Sequence, residues 1–210
     1  MADRVEISNL TLSKLGEDDQ LEDPLDNRKP ARSIRAVWDT VRDAVLRAHT
    51  WNFAIDPGGL DLSHDAAYTP SALSDWRYRF QLPPDFIRLD LQRCRPVWSR
   101  NDIQVGRRFI YANSPGPVHI VYVQQVENCG DWDALFVEAF ASRLAWQVAD
   151  RITGDRGRKS DCWQAYATAL KEAKGVDGRE NPPEPSEPTG WETARYDGGY
   201  GYPSDPSRWG

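Results

Sequence analysis

"DWDALFVEAFASRLAWQVADRITG", residues 131–154, decides the fold class, because it restores a helical apolar period after a long stretch of alternating residues. Leu135, Phe136, Ala139, Phe140, Leu144, Val148 and Ile152 recur at three-and-four spacing, which lays one apolar stripe along a helix. Asp131 stands where a cap is needed and Gly154 where the helix should break. Trp132, Ala139 and Trp146 add a sevenfold repeat that widens the stripe beyond half the circumference. A helix this apolar is buried on two sides. In a chain of 210 residues the second side is expected to be another subunit.

Working outward, a further helix from about Lys159 carries Cys162, Trp163, Tyr166, Ala169, Leu170 and Ala173, with Gly175 as its expected end. Upstream, the period is two. Tyr78, Phe80 and Leu82, then Ile87, Leu89 and Leu91, alternate with polar residues around the turn Pro83-Pro84-Asp85. Ile103 and Val105 face Phe109 and Tyr111 across Gly106-Arg107 as a hairpin, and "PVHIVYVQQV", residues 117–126, reads as a last strand apolar on both faces. Residues 51–75 read as a loop.

Before that loop, Ile34, Val37, Trp38, Val41, Ala44, Val45 and Ala48 mark a long helix over about 28–49, with Pro30 in its first turn and Asp26 and Asn27 as cap candidates. A short helix over 5–15 carries Ile7, Leu10, Leu12 and Leu15 and stops at Gly16. The order predicts an α+β protein: a helical bundle (1–74 and 127–175), an inserted antiparallel β unit (75–126) and an extended C-terminal arm (176–210).

The arm joins an acidic, proline-rich strip, "VDGRENPPEPSEPTG", to the aromatic run "WETARYDGGYGYPSDPSRWG" at 191–210. The strip cannot bury enough apolar area to offset its ordering entropy. Trp191, Tyr196, Tyr200, Tyr202 and Trp209, spaced by glycine and proline, suit a segment that orders on a partner, each ring anchoring in a pocket.

The net charge of -6 and pI near 5.1 argue against a generic duplex-DNA binder, which needs a clustered basic face. No signal peptide or membrane span is legible at the N-terminus, so synthesis in the cytoplasm is expected. Cys94, Cys129 and Cys162 lack metal-ligand spacing and read as ordinary thiols. His49, His64 and His119 lie in unlike contexts, and no glycine-rich phosphate loop is present, so no catalytic residue, cofactor or metal is assigned. A glycosidase-like carboxylate pair, Asp131 with Asp133 or Asp85 with Asp90, is the enzyme alternative; a helix cap is the simpler role for Asp131.

Nine tryptophans are the larger anomaly. Tryptophan is most useful at boundaries that are apolar on one side and polar on the other. Packing and subunit contacts outweigh a carbohydrate or single-strand stacking platform, because few basic residues are interleaved with the rings. Trp132, Trp146, Arg143 and Arg151 are the subunit-interface candidates. Arg143, Arg151, Arg156, Arg158 and Lys159 serve either contacts with a subunit or another partner or simply solvated helix ends.

Taken together, "ISNLTLSKLGE" (7–17), "VWDTVRDAVLRAHTWNFA" (37–54), "WRYRFQLPPDFIRL" (76–89) and "FVEAFASRLAWQVADRITGDR" (136–156) resemble, in order, the tail tubular protein A family of phage head-to-tail adaptors. The likeness covers residues 6 to about 174. It implies a homo-oligomeric ring of twelve subunits under the portal protein, continuing the DNA channel and docking the nozzle or next tail protein, with tail fibres a further candidate partner. It further implies assembly in the host cytoplasm, residence in the virion neck or tail, only transient contact with translocating double-stranded DNA, no membrane, and no catalytic residues. An acidic channel wall would let DNA slide without being held. A stopper or tail-completion protein is the alternative within the same particle. The glycine- and tyrosine-rich end is not part of the family pattern.

Overall fold

A computed structural model describes residues 2–23, 25–99 and 101–180. Its elements are α1 (Arg4–Leu15), α2 (Lys29–Arg47), β1 (Leu60–Leu62), β2 (Tyr78–Gln81), β3 (Phe86–Leu89), β4 (Ile103–Gly106), β5 (Phe109–Ala112), β6 (Val118–Ile120), β7 (Tyr122–Gln124), α3 (Ala134–Ile152) and α4 (Arg156–Glu180). The fold is α+β, with helices at both ends of the described chain and antiparallel sheets between them. The arm residues Trp191, Tyr196, Tyr200, Tyr202 and Trp209 lie outside the described residues.

Helix α1 opens on a reciprocal capping box: Asp3 accepts from the Glu6 amide (2.8 Å) while Glu6 accepts from the Asp3 amide (3.0 Å). It ends at Gly16, whose φ of 72° is left-handed. A Cβ there would lie 2.1 Å from Arg158 Nη1, the same nitrogen that donates to the Leu15 carbonyl at 2.7 Å. The left-handed turn favours glycine, and a side chain there would push the Arg158 guanidinium aside. Helix α2 begins differently from expectation. Its N-cap is Arg28, without a side-chain cap, and Asp26 accepts instead from the Arg28 amide and Nε, so neither Asp26 nor Asn27 caps the helix. Pro30 supplies the helix start, since its missing N–H removes one donor that would have no partner there.

Helix α3 is the central element: α1, α2 and α4 all pack on it. This accounts for much of the width of its apolar surface within one chain. Its cap is Asp133, which accepts from the Leu135 and Phe136 amides (2.8 and 3.3 Å). Asp131 instead closes a short turn, accepting from Asn128 Nδ2 at 3.0 Å.

Helix α4 does not stop at Gly175. It runs through Gly175 and Gly178 to Glu180, so the arm expected from 176 begins no earlier than 181. A mid-helix glycine costs only about 1 kcal/mol. Against that, Asp177 accepts from the Asn52 amide (2.9 Å), meets His49 Nε2 (3.0 Å) and offers its carbonyl to Asn52 Nδ2 (2.8 Å). These bonds fasten the last turns of α4 to the corner that follows α2.

The β unit begins earlier than the alternation suggests. Residues 60–62, within the expected loop, form β1, and Ile55 bridges to Val123. Three small antiparallel sheets result: β1 with β6, β3 with β7, and β2-β5-β4. The expected hairpin is present, with Gly106 opposite Phe109 and a two-residue turn, Arg107-Arg108. Both arginines have left-handed φ values of 50° and 67°, a conformation that costs a residue with a Cβ about 1–2 kcal/mol. The stretch 117–126 is two strands rather than one. Its side chains also divide by alternation: Val118, Ile120 and Tyr122 enter the core of the β unit, with Phe80 and Ile110, while Val121 and Val123 enter the bundle core. It is apolar on both faces because it lies between two cores.

Candidate subunit-contact site

Arg143 and Trp146 stand three residues apart on α3, and Trp163 and Tyr166 three apart on α4, so each pair shares one face of its helix. The packing of the two helices brings the pairs together. The Arg143 guanidinium carbon lies 4.3 Å from the ring centroid of Trp146, 5.0 Å from that of Trp163 and 5.2 Å from that of Tyr166. The Trp146 and Trp163 rings are 5.1 Å apart, and those of Trp163 and Tyr166 are 5.5 Å apart. Lys159 adds a second cation 5.5 Å from Trp146 while pairing with Asp150.

The cluster grades from inside to outside. Tyr166 is buried, and burial raises its hydroxyl above the ordinary value, with Arg143 opposing. Trp146 and Arg143 are half-buried, and Trp163 is 44% exposed. Arg143 has no carboxylate partner among the described residues; three aromatic faces hold its charge. Each such contact contributes about 0.5–1 kcal/mol near a surface and more when water is excluded. Covering this patch would therefore strengthen contacts already formed. Tryptophan, tyrosine and arginine are also the residues that dominate protein interfaces.

The four interface candidates separate. Arg143 and Trp146 join, with Trp163 and Tyr166 added to them. Arg151, in the last turn of α3, is exposed and takes no part in the cluster. Trp132 is not available to a partner. It is 7% exposed, stacked on Trp38 (6.2 Å between centroids, 21° between planes) and edge-on to Phe136 and Phe140, and its indole donates to the Val126 carbonyl at 3.1 Å. Sevenfold spacing groups Trp132 with Trp146, but Trp132 lies in extended backbone before α3 begins and stacks on Trp38 of α2, while Trp146, on the helix itself, stays at the rim.

The carboxylates considered for catalysis have local roles. Asp131 and Asp133 hold the turn and cap described above. Asp85 accepts from the Tyr122 hydroxyl at 3.2 Å, and burial beside it pushes that hydroxyl up to about 12. Asp90 accepts from the Gln92 amide at 3.2 Å and lies 3.6 Å from Arg93. His119 meets Asp61 across the β1–β6 pair at 2.8 Å. The three cysteines are unpaired, and burial raises each thiol.

Sequence reasoning missed the His49–Asn52–Asp177 junction and the partnership of Trp163 with Arg143. The junction left no local signal, because Asp177 lies more than 120 residues from His49 and Asn52. Among the described residues no helix is long and apolar enough to cross a membrane, and no group of three His, Cys, Asp or Glu could hold a metal ion. No protein-family model matches the chain, and no curated protein sequence matches it.

Proposed function

We propose that this chain is a structural head-to-tail adaptor of a tailed phage, forming a ring of twelve under the portal, extending the DNA channel and docking the nozzle or next tail component. The observation that carries the reading is the partly exposed Arg143–Trp146–Trp163–Tyr166 cluster, a cation held among rings on the bundle surface with no carboxylate partner among the described residues. That is the composition of a protein contact. The family resemblance and the order of helices, β unit and helices support the same reading.

In this reading the cluster meets a neighbouring subunit and residues 191–210 dock on the portal. Residues 75–126 carry eight arginines against four aspartates, so the acidic balance resides in the helices and terminal segments, the parts available to present a negative wall to DNA. The test is assembly of the full-length protein on purified portal, followed by electron microscopy. Arg143→Ala with Trp163→Ala should leave the melting temperature within a few degrees and abolish ring formation. Deleting 191–210 should spare folding and weaken portal attachment. A protein that stays monomeric with portal, or a deletion that attaches as well as the full chain, would overturn the corresponding part.

A further inference from the structure

We propose that the Arg107-Arg108 turn, with the depression beside it, seats the acidic loop of a second copy of this chain, Leu25 entering the depression while Glu22 and Asp23 face the arginines. The inference rests on the ring-forming reading and names a surface that the reading leaves open.

The turn supplies the first reason. A two-residue hairpin with both φ values positive is best made from asparagine and glycine. Here two arginines occupy it at 50° and 67°, and both are exposed. Neither has an ion-pair partner among the described residues. Residues that oppose the local backbone preference, at a tip they do not help to pack, point to a task outside the fold.

The second reason is the ground around the tip. Arg108 lines a depression of about 260 Å3 with Leu82, Pro83, Pro84, Phe86 and Ile87. Asp43 also borders it, but its carboxylate is held by Arg42 Nε (3.0 Å) and by Gln125 Nε2 (3.1 Å to each oxygen). The site therefore offers a recess of mixed polar and apolar lining, with two arginines at its edge that have no ion-pair partner among the described residues. It fits an acidic segment with an apolar residue.

The chain contains such a segment. Glu17, Asp18, Asp19, Glu22 and Asp23 are five acids in seven residues, and Leu25 just beyond them is 73% exposed. Arg28 accounts for Asp19 and Asp26; Asp18, Glu22 and Asp23 make no ion pair among the described residues. Charge is segregated in the same sense on a larger scale: residues 75–126 balance to +4 in a chain of -6. Because loop and hairpin are different surfaces, the contact is heterologous, the kind that propagates from copy to copy and closes into a ring when the rotation allows.

Sedimentation velocity of the full-length protein over rising concentration, at low and high salt, tests the contact. Wild type should self-associate, less so at high salt. R107N with R108G should weaken association by roughly tenfold or more, while leaving the melting temperature unchanged or higher because the turn is relieved. L25S should weaken association without affecting the fold. R107E/R108E and E22K/D23K should each fail to self-associate and should associate when mixed. Wild type that remains monomeric throughout, association unaffected by R107N/R108G, or a mixed pair that does not associate would each overturn the proposal. Binding of a short DNA duplex that R107N/R108G abolishes, with self-association untouched, would assign the tip to phosphate instead. Portal pull-down in parallel separates the readings: portal capture with hairpin-independent assembly sinks only this contact, whereas hairpin-dependent assembly without portal capture sinks only the adaptor role.

Discussion

The bundle and the β unit share the stretch 117–126 and meet again where α2 approaches β3, Arg47 donating to the Ile87 carbonyl at 2.6 Å, yet they are built by different means. In the bundle, helices of 12 to 25 residues converge on α3, and Trp38, Trp51, Trp132, Phe136 and Phe140 interlock over its buried face. In the β unit no strand exceeds four residues, and much of the order comes from bonds outside the ladders, such as the Asp90 amide on the Val121 carbonyl and Arg95 exchanging backbone bonds with His119. The bundle fills a core; the β unit holds a surface in shape. The acidic and basic halves of the charge follow the same division. A part with a small core and short strands is the part able to carry strained, charged turns, because its stability does not depend on the identity of the tip.

The most severe way to probe this contrast is Phe140→Ala. Phe140 is fully buried and packs edge-on to Trp38 at 4.9 Å and Trp132 at 5.0 Å, rigid rings that fill a cavity poorly. The expected cost is about 4 kcal/mol, or roughly 10 °C in melting temperature for a chain of this size. Phe80→Ala makes the matching cavity in the β unit and should cost somewhat less, because shorter elements relax around it more readily. Since 118–123 alternates its side chains between both cores, unfolding should stay a single transition in either variant. Two calorimetric transitions in Phe80→Ala would break the picture of one coupled structure.

The contrast also explains what could be read from sequence. Long periodic helices were legible: the stripe Ile34, Trp38, Val41 and Val45 and the stop at Gly16 lie where the repeat and the turn residue place them. Short strands were legible only where they alternate. Leu60-Asp61-Leu62 is too brief to show a period, and its pairing with 118–120 spans almost sixty residues. The division of 117–126 into two strands was hidden because both of its faces are apolar. At the candidate site, Arg143 and Trp146 were visible as a pair on one helix, but their meeting with Trp163 depends on helix packing. Trp132 falls before the helix begins and is buried against Trp38 of α2, a difference from Trp146 that the sevenfold spacing hides.

A smaller effect comes from Asp177→Ala, which removes the acceptor for the Asn52 amide and for His49 while leaving both cores intact. An unpaired, partly buried donor costs about 1–3 kcal/mol. The loss should be local, appearing as faster amide exchange over 175–180 with only a modest fall in melting temperature. Unchanged exchange there would mean that neighbouring packing, and not this carboxylate, carries α4 through its two glycines.

The smallest effect concerns the charge on His49 at that junction. Burial lowers its affinity for a proton below the ordinary value near 6.5, with Lys174 and Arg88 acting in the same direction, and the nearby Asp177 offsets this only in part. The neutral ring then donates from Nε2 to Asp177. With the folded-state value depressed, the unfolded chain takes up the proton first as pH falls. Stability contributed here is complete above about 6.5 and declines as pH drops through that value and on through the folded one. His49→Gln keeps a donor for Asp177 but cannot titrate, so its stability should fall less than that of wild type between neutral pH and the onset of carboxylate titration. Denaturant melts at closely spaced pH values measure the difference; wild type gaining stability over His49→Gln as pH falls would show that the ring is held charged in the fold, making the junction an ion pair and not a neutral hydrogen bond.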